Sequence, residues 1–308
     1  MLKLLASCDL APNFTQQTIR EITTPKSMAS DEVQNLKERV IRHRSGWTTV
    51  DFGELWRYRE LFLFLAWRDI LVRYKQTALG VTWAVLQPVL TTLVFTIVFG
   101  SLAKFPSKGA PYAVLTFAAL LPWNFFSNAL SESSNSLVAS SNMISKVYFP
   151  RLIIPASAVL SGVADFAISL GILFGLMLYF HVPFTANLFM LPVFFAMALI
   201  AALGAGVWLG ALNVRYRDVK YVVPFITRMG LYVSPVGFLS DLVPEKWRFL
   251  YTLNPMVGVI DGFRWCILGE KFQPYWPGCL LSCLIMVLLL ASGLLYFRST
   301  EKTFADYI

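Results

Sequence analysis

Six long apolar runs constrain the fold of this 308-residue chain more than any other feature of its sequence. A helix needs roughly 20 mainly apolar residues to cross the hydrocarbon of a bilayer, and a backbone in lipid must satisfy its hydrogen bonds within the segment. The composition agrees, because 56% of the residues are hydrophobic and only 14% are charged. The sequence therefore predicts an all-α membrane protein with six transmembrane helices. The predicted spans are Thr82–Leu102, Tyr112–Leu130, Ile153–Phe180, Leu188–Leu212, Val222–Leu239 and Gly278–Phe297.

The lysines and arginines predict how those spans are oriented. If both termini are cytoplasmic, 19 of the 26 basic residues fall in cytoplasmic segments, six fall in outer segments, and Arg228 lies within a span. Because positive side chains concentrate on the cytoplasmic side, we expect both termini there. Much of the net charge of +8 then reflects topology and attraction to anionic lipid, and no nucleic-acid partner is expected.

Three regions are predicted along the chain. Residues 1–53 are rich in Thr, Ser, Gln and charges and are interpreted as a cytoplasmic tail, since the apolar core of "MLKLLASCDL" is too short for a signal peptide. Residues 54–80 have a short apolar centre flanked by tryptophans and basic residues, which favours an amphipathic helix lying in the cytoplasmic interface. The alternative is a purely topological anchor. Residues 81–308 form the six-helix transmembrane domain.

The loop "NMISKVYFPRLIIP" between spans 2 and 3 holds cations and aromatics in a compact segment bounded by prolines. We expect a short cytoplasmic helix that docks on a soluble protein, because aromatic residues and arginine dominate the energetics of protein interfaces. A tight interfacial turn is the alternative interpretation. The candidate docking residues are Asn142, Ser145, Lys146, Tyr148, Phe149 and Arg151.

A second polar segment, "NVRYRDVKY", follows span 4 and contains Arg215, Arg217 and Asp218. These charges fit a topological signal with a local ion pair. The alternative is a second cytoplasmic contact with a partner.

The segment Ser240–Gly278 between spans 5 and 6 is too apolar in its middle for a solvated loop and too interrupted to span. It predicts short re-entrant outer helices, which are tolerated where protein or a cavity covers the backbone. Such a segment is suited to an outer gate, and a simple outer cap is the alternative. The candidate gate residues are Asn254, Pro255, Asp261 and Arg264.

Charged residues within spans are functional candidates, because they are costly in lipid and usually paired. Asp165 and Arg228 lie in spans 3 and 5, Glu132 lies near the end of span 2, and Asp165 with Arg228 is a candidate pair. The chain contains no G-x-x-x-x-G-K-[ST] motif, so it is not expected to bind a nucleotide through a P-loop.

The four cysteines, Cys8, Cys266, Cys279 and Cys283, lack the spacing of a metal site, and no metal is predicted. Cys266 and Cys279 would be able to pair only if both face an oxidising compartment.

Four motifs together resemble a known family: Arg68–Gly100, Asn142–Pro155, Asn213–Phe225 and Leu253–Trp265. In this order they look like the permease subunit of bacterial polysaccharide ABC exporters, a group that includes O-antigen, capsule and teichoic-acid exporters. The resemblance extends from about Leu55 to the C-terminus.

The resemblance implies a homodimeric permease of the bacterial inner membrane, without catalytic residues of its own. It would assemble with two cytoplasmic ATPase subunits that bind ATP and Mg. Asn142–Arg151 would correspond to the coupling helix seated on the ATPase, Glu54–Lys75 to the interface helix, and Ser240–Gly278 to the outer gate.

The cargo implied by the resemblance is a polysaccharide attached to polyprenyl diphosphate, with O-antigen preferred over capsule or teichoic acid. Arg68, Arg73 and Lys75 are candidates to receive the lipid headgroup. Sugars stack on aromatic rings, and the candidate lumen aromatics are Trp83, Phe95, Phe99, Trp123, Phe125 and Phe126.

Two other function classes remain open at this stage. A stand-alone flippase or secondary transporter would be coupled to an ion gradient and have no ATPase partner. An integral-membrane glycosyl- or acyltransferase would need clustered Asp, His or Glu at a membrane edge.

Overall fold

The computed structural model describes residues 52–75 and 80–304. All of them belong to one compact unit, Trp47–Ile308. The described residues form helices and loops, with no strand among them. The predicted tail lies outside the described residues except for its last two positions, which begin the first helix. The helices are α1 (Phe52–Arg57), α2 (Arg59–Lys75), α3 (Gly80–Phe95), α4 (Tyr112–Ala139), α5 (Ser141–Ile144), α6 (Ile153–Tyr179), α7 (Leu191–Arg215), α8 (Val219–Val233), α9 (Glu245–Tyr251), α10 (Pro255–Leu268) and α11 (Trp276–Thr300).

Within residues 52–75 and 80–304, five helical segments are long and apolar enough to cross a membrane: Thr82–Leu102, Tyr112–Ala139, Ile153–Tyr179, Ala186–Arg215 and Trp276–Thr303. The first joins α3 to a π-helical stretch, Thr96–Leu102, and the fourth joins a 3-10 turn, Ala186–Met190, to α7. These five segments agree with spans 1 to 4 and 6 of the sequence analysis.

The predicted count of six spans is not confirmed, because the fifth apolar run forms a shorter helix than expected. Helix α8 has 15 residues and ends at Val233, six residues before the predicted end at Leu239. The cause is local: Ser234 is extended, as is favoured for a residue that precedes a proline, here Pro235. At about 1.5 Å per residue α8 is roughly 22 Å long, which is shorter than the hydrocarbon of a typical bilayer.

Helix α4 is the centre of the bundle and packs against α6, α7, α8 and α10. Its first turns are buried almost continuously, from Val114 to Trp123. This central position explains how α4 tolerates the polar residues of its second half, since neighbouring helices cover much of its surface.

Helices α7 and α11 approach closely at two glycines. A Cβ at Gly204 would lie 2.8 Å from the backbone nitrogen of Leu290, and a Cβ at Gly293 would lie 2.7 Å from the carbonyl oxygen of Gly204. Small residues at these positions allow the backbones to touch, as is typical of membrane helix pairs.

The described part of the predicted interface segment, up to Lys75, forms two helices, α1 and α2, that meet at Tyr58. Leu65 and Ala66 of α2 are buried, and the helix packs along α6. The aromatic residues Trp56 of α1 and Phe64 and Trp67 of α2 are exposed. Helical structure is therefore found through Lys75, interrupted at Tyr58, whereas the amphipathic character of the segment and its place at a membrane interface stay predictions.

The connections define two ends of the bundle. At one end, here called the α2 end, Phe149 of the loop 140–152, Val214 of α7 and Phe304 after the C-terminal turn Glu301–Thr303 belong to one buried cluster. The connection between α7 and α8 lies at the same end, because it follows Arg215. At the opposite end, called the α10 end, α9 and α10 form the pair of short helices predicted between spans 5 and 6.

Candidate functional site

A cleft of about 500 Å³ lies where α2, α3, α4 and α6 meet. Its walls combine an apolar surface with an unusual number of polar side chains for a membrane bundle. The apolar wall includes Trp83, Pro88, Leu121, Phe125 and Phe166. The polar groups are Arg73, Tyr74, Gln87, Asn124, Asn128, Glu132, Asp165 and Ser169.

An ionic cluster closes the α2 side of this cleft. The guanidinium group of Arg73 donates to the carboxylates of both Glu132 and Asp165, and the Tyr74 hydroxyl donates to Asp165. The three charged side chains are 24–39% exposed. Burial and the neighbouring Asp165 raise the pKa of Tyr74, which keeps its hydroxyl protonated as a donor. With one cation and two anions, the cluster has a formal charge of −1.

The predicted pair of Asp165 with Arg228 is wrong. Asp165 is occupied by Arg73 and Tyr74, whereas Arg228 is exposed on α8 and makes no ion pair among the described residues. Arg73 and Asp165 are 92 residues apart in the sequence. The periodicity of the apolar residues does not show that Asp165 faces α2 rather than α8.

The polar groups of the cleft form stripes along the helices. Asn124, Asn128 and Glu132 are four residues apart on α4, and Asp165 and Ser169 are four residues apart on α6. Residues at this spacing share one helix face. This spacing is readable in the sequence, and it was the signal that would have identified the cleft.

The six candidate lumen aromatics occupy different environments. Phe95, Trp123 and Phe125 are buried in the core, Phe99 and Phe126 are partly buried, and Trp83 is 57% exposed. Phe125 packs on Phe195 and Phe166, with ring centroids 5.0 and 5.8 Å away. Trp83 and Phe125 line the cleft, and the others do not.

The three candidate headgroup residues also differ. Arg73 is held by the two carboxylates of the cleft, and Arg68 pairs with the adjacent Asp69 at 2.8 Å. Lys75 is exposed at the end of α2 and makes no ion pair within the described ranges.

The candidate docking loop folds as the four-residue helix α5 followed by turns. Tyr148 is 71% exposed and Lys146 is exposed, whereas Phe149 is only 5% exposed. Phe149 therefore packs inside the chain and does not present its ring to a partner. Asn142 and Ser145 are linked within the loop by a bond from the Ser145 hydroxyl to the Asn142 carbonyl, 3.3 Å long.

The C-terminal turn holds this loop in place. The Arg151 guanidinium donates to the Glu301 carbonyl oxygen and lies 5.9 Å from the ring centroid of Phe304. The backbone N–H of Arg151 donates to the Glu301 carboxylate at 3.3 Å. Arg151 therefore positions the loop from within the chain.

The second polar segment is exposed at the same end of the bundle. Arg215, Arg217 and Asp218 are all exposed, and Arg215 lies 5.3 Å from the ring centroid of Tyr216. The local ion pair expected for Asp218 is not formed with any described residue. The backbone carbonyl of Asp218 instead accepts from Tyr221 in the first turn of α8.

The candidate gate residues organise the α10 end. The Asn254 side chain caps α10 by accepting from the Met256 N–H at 3.1 Å, and Pro255 is the first residue of that helix. Arg264 is 1% exposed and donates to the carbonyl oxygens of Val236 and Phe238, both at 2.9 Å.

Arg264 also donates to the Leu115 carbonyl at 3.4 Å, so one side chain joins α10, the segment after α8 and the start of α4. Asp261 is 8% exposed and lies one turn earlier on α10. Cys266 of the same helix and Cys279 of α11 are both free thiols and form no disulfide.

Comparison with known proteins places this architecture in a family. The family model described as "ABC-2 type transporter" matches residues 60–268, which is more than half of the chain. The chain belongs to the ABC-2 type transporter family. The family match and the long apolar helices together identify the chain as a multi-pass membrane protein. The family match also confirms the resemblance found in the sequence.

Curated relatives extend the match to most of the ABC-2 chain. The "O-antigen export system permease protein RfbA" of Myxococcus xanthus is 29% identical over 258 residues, covering 83% of this chain and 98% of that relative. A protein of the same name from Klebsiella pneumoniae is 25% identical over 250 residues, covering 81% and 95%. The "Polysialic acid transport protein KpsM" of Escherichia coli is 22% identical over 246 residues, covering 78% and 92%.

Proposed function

We propose that this chain is the permease subunit of an ATP-driven exporter that moves a polysaccharide across the bacterial inner membrane. One observation carries the proposal: the chain matches nearly the full length of relatives named as O-antigen export permeases, and does so within the ABC-2 family. Relatives named for O-antigen and for polysialic acid both point to a glycan as the cargo.

The ATP would be bound, with Mg, by a separate cytoplasmic ATPase subunit. The exposed residues of the loop 140–152 and of the connection 215–218 offer two contacts at the α2 end of the bundle. Tyr148 is the strongest single candidate, because it combines an aromatic ring with 71% exposure. Both termini would be on this cytoplasmic side, as the distribution of basic residues predicts.

A homodimer with two ATPase subunits is the assembly we propose. Helices α3 and α8 present broad apolar faces that the described residues leave uncovered, including Leu93 on α3 and Phe225 and Tyr232 on α8. A second permease copy and lipid would together cover these faces. The short length of α8 fits a position at the dimer centre better than one in bulk lipid, where hydrophobic mismatch is costly.

The proposed cargo is a glycan linked to polyprenyl diphosphate, with O-antigen the first candidate. The capsule alternative has its own support in the polysialic acid relative, which matches 78% of the chain. The exposed Lys75 is a better candidate to bind the diphosphate than Arg73, which is already paired with two carboxylates.

Deletion of the gene in the source bacterium, followed by complementation, tests the proposal. We expect loss of one surface polysaccharide and accumulation of its lipid-linked form on the cytoplasmic face, where an added glycosidase reaches it only in inverted vesicles. Complementation with the unchanged chain, or with the exposed-site variant Lys246→Ala, should restore the surface glycan. An unchanged set of surface glycans in the deletion strain would contradict the proposal.

A further inference from the structure

The cleft between α2, α3, α4 and α6 contains hydrogen-bonding groups that the fold itself does not use. Among the described residues, the side chains of Gln87, Asn124, Asn128 and Ser169 have no hydrogen-bond partner. All four lie on membrane-spanning helices, where an unsatisfied polar group costs several kcal/mol in hydrocarbon. A stripe of this kind is expected to have a hydrated or polar occupant.

The charge of the cleft restricts what that occupant is. Arg73 is shared between Glu132 and Asp165, so the ionic cluster has a formal charge of −1. An anionic phosphate would meet two carboxylates and a cation that is already neutralised, which is unfavourable at low dielectric. A bare cation would have to displace Arg73 from both carboxylates.

The walls favour a ligand that is neutral, rich in hydroxyls and flat on one side. Amide and hydroxyl side chains both donate and accept, as sugar hydroxyls require. The exposed ring of Trp83 offers a surface for the C–H face of a sugar. The volume of about 500 Å³ is within the usual range of small-ligand sites, roughly 300–1,000 Å³.

We propose that this cleft binds a sugar ring of a lipid-linked glycan, hydrogen-bonded to Gln87, Asn124, Asn128 and Ser169 and stacked on Trp83. The proposal rests on the proposed export function and adds the place at which the permease holds a sugar. The exposed residues Trp83 and Asn128 mark the open side of the cleft, and the ionic cluster closes the side next to α2.

Site-specific photo-crosslinking of the full complex in its own membranes tests this proposal. A photoreactive amino acid replaces Asn128 or, in separate strains, Leu93 or Tyr232. After irradiation the purified chain is oxidised with periodate and labelled with a hydrazide, which marks sugar diols. Leu93 is the control, because it is exposed on α3 but does not line the cleft.

We expect glycan labelling at position 128 to exceed that at position 93 by about fivefold or more. If position 232 is labelled and position 128 is labelled no more than the control position 93, the proposed site is wrong but the export function is not contradicted. No glycan labelling at any position overturns the site as well. If surface glycans also persist in the deletion strain, the export function fails independently.

A second measurement uses variants that keep the fold. The double change Asn124→Leu with Asn128→Leu should lower glycan export at least about tenfold, because two neutral hydrogen bonds are lost. Thermal stability and ATPase co-purification should not change, since the two amides have no partners within the described chain. Thr91→Val, whose hydroxyl bonds only to the Gln87 carbonyl at 2.8 Å, is the matched control on α3. Export that survives the double change overturns the proposal.

Discussion

Single arginines hold the two ends of this bundle, and they do so in different ways. At the α2 end, Arg73 joins α2 to α4 and α6 through Glu132 and Asp165. At the α10 end, Arg264 donates to three backbone carbonyls, two in the segment after α8 and one in the first turn of α4. Both side chains were visible in the sequence only as basic residues, one assigned to a lipid headgroup and the other to an outer gate.

Replacing Arg73 should destabilise the α2 end, because two carboxylates would be left facing each other. For Arg73→Ala we expect a loss of about 1–3 kcal/mol, between the values for exposed and buried pairs. Thermal unfolding in detergent measures the change. Arg68→Ala should cost less than about 1 kcal/mol, because Arg68 pairs only with its neighbour Asp69.

Rescue distinguishes charge repulsion from lost packing in that variant. Adding Glu132→Gln and Asp165→Asn to Arg73→Ala should restore much of the lost stability, because the uncompensated charges are removed. A triple variant no more stable than Arg73→Ala would contradict the electrostatic explanation.

Replacing Arg264 should be more costly than replacing an ordinary surface cation. Arg264→Ala removes hydrogen bonds to three carbonyls and leaves a buried gap, so we expect a loss of about 3–5 kcal/mol. Arg264→Lys should fail to restore it, because an ammonium group lacks the planar fork that reaches several acceptors. Lys246→Ala, at an exposed position of α9, is the control. Equal melting temperatures for the Arg264 and Lys246 variants would show that the carbonyl contacts contribute little.

At the scale of elements, the docking loop and the C-terminal turn form one unit. Phe149 and Phe304 belong to the same buried cluster, and Arg151 bridges the loop to Glu301. The loop therefore has an inner face that attaches it to the bundle and an outer face, with Lys146 and Tyr148, that the described residues leave exposed.

The two faces predict opposite results for neighbouring aromatic residues. Tyr148→Ala should reduce ATPase co-purification about tenfold or more while leaving the melting temperature unchanged, because the ring is exposed and, in the proposed complex, lies against the ATPase. Phe149→Ala should lower the melting temperature, with a cost of about 3–5 kcal/mol for an emptied core site. Tyr179→Ala, equally exposed at the opposite end, should change neither property. An unchanged ATPase yield for Tyr148→Ala would move the docking contact elsewhere.

The C-terminal turn should control the mobility of the loop. Phe304→Ala removes a ring that is 1% exposed and lies 5.3 Å from that of Phe297, measured between centroids. We expect hydrogen exchange in residues 145–152 to become about tenfold faster, since local opening then costs roughly 1.4 kcal/mol less. Lys302→Ala, an exposed neighbour, should leave exchange unchanged. Equal exchange in both variants would mean that the turn does not hold the loop.

Apolar runs predicted most helices, because a spanning segment leaves a long signal that does not depend on its neighbours. The prediction failed where a local feature interrupted the run: Pro235 ends α8 at Val233 although the residues beyond remain apolar. It also failed where helix rotation decides the contacts. Asp165 needed a partner, and only the packing of α2 against α6 selects Arg73 over Arg228.

For the candidate site, the sequence predicted single residues but not their arrangement. The sequence identified Glu132, Asp165, Arg73, Trp83 and Phe125 as separate features with separate roles. Only the fold brings them into one cleft and shows that Phe149 points inward. The four-residue spacing of Asn124, Asn128 and Glu132 was the available signal, because it places three polar groups on one face of an otherwise apolar helix.

At the scale of the whole molecule, the chain is an ABC-2 helical bundle whose described residues include five helices long and apolar enough to span a membrane, a polar cleft and exposed loops at the α2 end. In the exporter we propose, the energy for transport comes from an ATPase subunit that acts on those loops. This dependence separates the proposed exporter from a flippase that works alone.

Gentle solubilisation of the native membranes, followed by identification of the proteins that co-purify with this chain, tests that dependence most directly. The account predicts a stoichiometric soluble ATPase with a P-loop, retained by Tyr179→Ala and lost from Tyr148→Ala. A chain that restores glycan export in cells yet purifies from the same membranes without any ATPase would contradict it.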